Sequence, residues 1–139
     1  MFSTILVAVD GSQVTRAVIS AAGDIAEKYN AAIHIVYVIE TGWSEGDVTR
    51  ELVIRELEEE SNAILTGIEQ DLTRQGYSAK IHRKRGHPRE VIVTLAEEIH
   101  ADLIVLGSVG KSQIARMLSG SVSTFVFTHS RVATLVIRP

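Results

Sequence analysis

Two short stretches, Ile5-Leu6-Val7-Ala8-Val9 and Leu103-Ile104-Val105-Leu106, are apolar at every position. A strand with one wet face alternates apolar and polar residues, so an unbroken run marks a strand covered on both sides, as in a parallel sheet. Parallel neighbours need long crossovers, and the sequence between the runs supplies them. From Ser12, a candidate N-cap, apolar residues recur at Val14, Ala17, Val18, Ala21, Ala22, Ile25 and Ala26, which is one face of a helix. Residues 32–38 read as a second strand. Residues 48–75 read as a long helix, with Val53, Leu57, Ile64, Ile68 and Leu72 near helical spacing and Gly76 as its stop. A more polar third strand is expected over 78–85. Pro88 then suits the first turn of a helix whose apolar face is Val91, Ile92, Leu95, Ala96 and Ile99. A fourth strand over 101–107, a short helix over about 120–128 and a fifth strand over 131–137 complete the series. Alternating elements of this kind predict an α/β fold, an open parallel sheet covered on both faces.

Residues 1–139 are long enough for one domain, and 45% hydrophobic with 22% charged residues excludes disorder. A net charge of −3 argues against a protein built to hold nucleic acid by neutralising phosphates. The chain has no cysteine, which removes disulfides, thiolate metal sites and a cysteine nucleophile. No apolar run approaches the roughly 18 to 20 residues that span a bilayer. The start, Met1-Phe2-Ser3-Thr4, lacks a signal-peptide pattern, so a cytoplasmic location is expected.

In open α/β sheets, ligands bind beyond the carboxyl ends of the strands, where the strand order reverses. Two segments there are unusual. Asp10 follows the first strand, and the loop after the fourth reads Gly107-Ser108-Val109-Gly110, nine residues, then Gly120-Ser121-Val122-Ser123. Glycines let backbone N–H groups approach a ligand, and a helix opening at Gly120-Ser121 offers free N–H groups and a favourable dipole to an anion. The Ser121 and Ser123 hydroxyls can donate to phosphate oxygens. These pieces make a two-part phosphate cradle. The same residues also suit a plain loop in which Ser119 or Ser121 merely caps a helix, and Asp10 alone suits a turn. Gly110-Lys111-Ser112 imitates the end of a P-loop, but the earlier glycine that motif needs is Val105 here, so a P-loop is rejected.

The spacing G-x2-G-x9-G-S is similar to the ATP-binding motif of the universal stress protein family. The likeness continues in Ile5 to Ser12, in Gly86-His87-Pro88 with Val91, Ile92 and Ala96, in Asp102 to Ser108, and in Thr134 to Ile137. The resemblance implies a doubly wound, Rossmann-like sheet of order 3-2-1-4-5 with four helices, usually in a homodimer. By position it puts adenine and ribose near Ala8, Val9, Asp10 and Val38. It puts phosphates over Gly107, Gly110, Gly120, Ser121, Val122 and Ser123, and Asp10 on the nucleotide or its Mg²⁺. Ser108, Lys111 and Arg116 lie in the phosphate loop and can add contacts. One departure is the proline that the family commonly has before its last strand, where this chain reads Arg131-Val132-Ala133-Thr134.

The five histidines, His34, His82, His87, His100 and His129, are scattered without chelating spacing, so a side-chain metal site is not expected. No G-x-S-x-G elbow favours a serine hydrolase. The basic cluster Lys80, His82, Arg83, Lys84, Arg85 and His87 reads as the guard of an edge strand, with an acidic partner or RNA as the alternative. Glu56, Glu58, Glu59 and Glu60 read as a solvated helix face interleaved with Arg50 and Arg55. In the implied strand order the apolar last strand, Val132 to Ile137, lies at the other edge. Pairing with a second copy would cover it. The expected function is an ATP-binding regulatory, stress-response protein with at most slow hydrolysis and an unidentified protein partner. A nucleotide-independent dimeric interaction module and a nucleotidyl or phosphoryl transferase are the alternatives. The loop around Trp43 either closes over a ligand or packs on the surface.

Overall fold

The computed structural model describes residues 1–40, 47–108 and 119–139. In chain order the elements are β1 (Thr4–Val9), α1 (Thr15–Tyr29), β2 (Ala32–Glu40), α2 (Asp47–Arg74), β3 (Ala79–Gly86), α3 (Pro88–Glu98), β4 (Leu103–Gly107), α4 (Ser119–His129) and β5 (Ala133–Ile137). The strands form one five-stranded sheet of order β3-β2-β1-β4-β5, and every pairing is parallel. The chain therefore reverses its direction of travel across the sheet between β1 and β4, the switch point expected from the sequence.

The all-apolar runs are buried on both faces because each face has its own helices. Ile5, Val7 and Val9 of β1 join Ile33, Ile35, Tyr37 and Val105 under α1 and α2. Leu6 and Ala8 join Val36, Val38, Ile104 and Leu106 under α3 and α4. Ile5, Leu6, Val7, Ile104 and Val105 are 0% exposed. At about 25 cal/mol per Å² of apolar surface, each fully buried Val, Leu or Ile side chain contributes about 1.5 to 3 kcal/mol. The central strands thus anchor everything that follows.

Three local readings need correction. Ser12 is not the cap of α1; the helix starts at Thr15, and Val14 stands at the cap position without a side-chain bond. The Asp10 carboxylate takes the Ser12 N–H at 2.9 Å, and the Ser12 carbonyl accepts from Thr15 N at 3.1 Å, so a turn precedes the helix. The buried stripe of α2 includes Ile54, Leu65 and Ser61 beside Ile68 and Leu72, whereas Val53 is half-buried. Ser61 tolerates full burial because its Oγ donates to the Glu58 carbonyl at 2.8 Å. Glu58 itself pairs with Arg85 of β3 rather than with the arginines of its own helix.

Candidate functional site

The site is built where β1 and β4 end side by side. Val9 is the last residue of β1, and its side chain points into the α1–α2 face, 6% exposed. Ala8 and Val38 are half-buried on the opposite face, and Val122 of α4 packs against the same cluster. The alternation of the pleat thus separates Val9 from its predicted companions. Ala8, Val38 and Val122 pack on the same apolar cluster, while the Val9 side chain belongs to the other one.

Past Val9 the chain turns sharply. Gly11 has φ of +78°, a conformation that L side chains rarely adopt, and Asp10 holds the turn through Ser12 N. The turn role of Asp10 is therefore real, and its half-buried carboxylate stays at the lip of the sheet. Tyr37, paired with Val9 in the register of β1 and β2, feels that carboxylate. Burial pushes its phenol above the usual range, and the charge of Asp10 adds to the shift. Tyr37 escaped notice in the sequence because nothing local links it to Asp10.

Gly107 ends β4 for a packing reason. A Cβ there would lie 2.4 Å from Val14 Cγ1, so the first turn of α1 can lean on the strand end only because the side chain is missing. Ser108 continues the strand direction, its N–H donating to Ile137 O at 2.9 Å. The Ser12 Oγ and Thr15 Oγ1 atoms are buried and make no hydrogen bond among the described residues. Buried hydroxyls in that state are costly in most interiors.

The second half of the expected cradle is partly described. Gly120, Ser121, Val122 and Ser123 all lie in the first turns of α4, and Ser123 is 7% exposed. Because α4 follows β4 and returns to the start of a parallel β5, its first turn faces the carboxyl end of the sheet. Gly110, Lys111 and Arg116 lie outside the described residues, as does the loop of Trp43.

Elsewhere, β3 is an edge strand, as its basic residues suggested. Arg83 bonds to Asn62 and Arg85 to Glu58, both on α2. The histidines are not all scattered. The pairing of β2 with β3 sets His82 opposite Val36, close enough for a 2.9 Å contact with His34. Among the described residues no helix is long and apolar enough to cross a membrane.

The profile of the Universal stress protein family matches residues 1–138. A universal stress protein of Methanocaldococcus jannaschii is 29% identical over 141 residues, an alignment covering 99% of this chain and 83% of that protein. Among solved structures, UspA from Lactobacillus plantarum superimposes with a TM-score of 0.85 at 26% identity, over 98% of this chain and 97% of the other. A universal stress protein solved in complex with cAMP gives a TM-score of 0.75 at 28% identity, over 98% and 97% of the two chains.

Proposed function

Since the chain belongs to the universal stress protein family, we propose that it binds ATP or a related adenine nucleotide at the carboxyl end of its sheet and acts as a nucleotide-dependent regulatory, stress-response protein. The observation that carries this reading is the meeting of Asp10 and Gly107 at the switch point, facing the glycine–serine start of α4. Adenine and ribose rest against Ala8 and Val38 and the backbone of Val9 and Asp10. Phosphates lie over Gly107, Ser108 and Gly110 and at the start of α4, by Gly120, Ser121, Val122 and Ser123, where the free N–H groups of the first turn and the helix dipole favour negative charge. A relative's complex with cAMP supports an adenine nucleotide as the ligand class.

Mg²⁺ fits as a companion of the phosphates, with Asp10 as the acid at the lip. When bound, it offsets phosphate charge. The residues themselves bind and orient; none is assigned as a general base, so the protein works by occupancy rather than by fast phosphoryl transfer. The apolar, half-buried β5 edge, with Leu135, Val136 and Ile137, pairs with the same strand of a second copy. Such a protein works in the cytoplasm as a single domain and homodimer with a protein partner.

Calorimetry with Mg-ATP, on protein stripped of carried-over nucleotide, tests the reading beside Gly120→Val. The expectation is micromolar binding by wild type, weakened at least about tenfold in the folded variant by the loss of charged hydrogen bonds. No binding by folded wild type would overturn the proposal in favour of a nucleotide-independent interaction module.

A further inference from the structure

The nucleotide reading makes no use of the far edge of the sheet, where β3 is held in an unusual way. This strand pairs on one side only, with β2 from Ile33↔Ala79 to Glu40↔Gly86. On one face of β3, Arg83 and Arg85 reach α2 through Asn62 and Glu58. On the other face, two imidazoles add a side-chain contact to the backbone pairing with β2. Nδ1 of His34 and Nε2 of His82 lie 2.9 Å apart, with ring centroids at 5.2 Å and planes 15° apart. Those values set near-parallel rings edge to edge, the two nitrogens lying between the ring centres.

A bond of this kind needs a lone pair on one ring and N–H on the other. Protonation of both rings leaves N–H facing N–H and sets two positive charges side by side. We propose that the His34–His82 hydrogen bond is an acid-released latch that holds edge strand β3 against β2.

The surroundings favour the latched form near neutrality. Lys80 and Lys84 of β3 add positive charge, and Glu98 of α3 opposes them. Burial lowers the pKa of His34, with Lys80 adding to it. Burial likewise lowers that of His82, assisted by His34, Lys80 and Lys84 and opposed by Glu98. The sign follows directly. Unfolded histidines protonate first, near pH 6.5, so the stability this pair contributes is complete above that pH. It is lost as pH falls from there toward the lower folded values. Release loosens the hold of β3 on the outer edge of β2, a row of backbone groups able to pair with a strand.

Amide hydrogen exchange at pH 7.5 and 5.0, corrected for intrinsic rates, tests the latch in wild type, His82→Gln and His34→Gln. Protection of β3 amides in wild type is expected to fall about tenfold relative to β1 on acidification, as loss of one hydrogen bond allows. In either variant, which carries no imidazole pair to charge, the relative fall is expected to be less than about twofold. A β3 whose protection relative to β1 ignores pH in wild type, or falls equally in the variants, overturns the proposal. If the variants do not fold, imidazole titration in wild type by NMR decides: both rings titrating below pH 6.5 with loosening of β3 supports the latch, and titration at or above 6.5 overturns it.

Discussion

The two ends of the sheet use the same residue type in opposite ways. At the amino end, Asp102 is consumed by the fold. Its Oδ2 accepts from Ser3 N at 2.8 Å and its Oδ1 from Thr4 N at 3.1 Å, while its own N–H donates to Thr4 O at 2.9 Å. Ala32 N closes the neighbouring strand onto Ser3 O at 2.8 Å. At the carboxyl end, Asp10 holds a single turn, the nearby hydroxyls of Ser12 and Thr15 are buried without a hydrogen bond among the described residues, and glycine replaces a side chain at the strand end. One end is closed by polar satisfaction and the other is kept short of it. In the proposed reading, that asymmetry separates the end that holds the fold together from the carboxyl end, where open α/β sheets bind their ligands.

The comparison breaks most visibly at Asp102. Asp102→Ala leaves the N–H groups of Ser3 and Thr4 without their charged acceptor and is expected to cost about 2 to 3 kcal/mol in urea unfolding, with nucleotide affinity unchanged in the folded fraction. Gly107→Ala should come next, costing about 1 to 2 kcal/mol, because its new Cβ collides with Val14. The double variant with Val14→Ala should recover part of that loss, and simple additivity in the cycle would refute the contact as the cause. Asp10→Ala has the smallest expected cost, about 1 kcal/mol for one turn-holding bond. It should nevertheless weaken Mg-ATP binding at least about tenfold, so stability and affinity move in opposite orders at the two aspartates. Equal affinity losses from Asp10→Ala and Asp102→Ala would erase the distinction.

Much of this architecture was legible in the residues because burial on both faces leaves an unmistakable pattern. The runs around Val7 and Val105 suited strands buried on both faces, and Pro88 begins α3 where its missing N–H costs nothing. What escaped the sequence depended on local turns or on partners far along the chain. Ser12 has the chemistry of a cap, but a turn held by the Asp10 carboxylate moves the helix start to Thr15. Ser61 interrupts the apolar stripe of α2, which hid Ile54 and Leu65 on the same buried face. Glu58 looked solvated until β3 brought Arg85 to it, and His34 met His82 only through strand pairing. The sequence placed Asp102 only as part of the fourth strand. Its two bonds cross to the first residues of the chain, a contact no local pattern encodes. At the candidate site, the glycines and Asp10 stood out by spacing, whereas Tyr37 and Val14 gained their roles through the register of β2 and the lean of α1.

The most direct test of the two-ended account is a backbone NMR titration with Mg-ATP on nucleotide-free protein. The account predicts that shifts gather at residues 8–12, 38–40, 107–108 and 119–123, while residues 3–4, 31–32 and 101–102 stay unmoved. Saturable shifts centred on the amino-end group, with residues 8–12 and 107–108 silent, would contradict it.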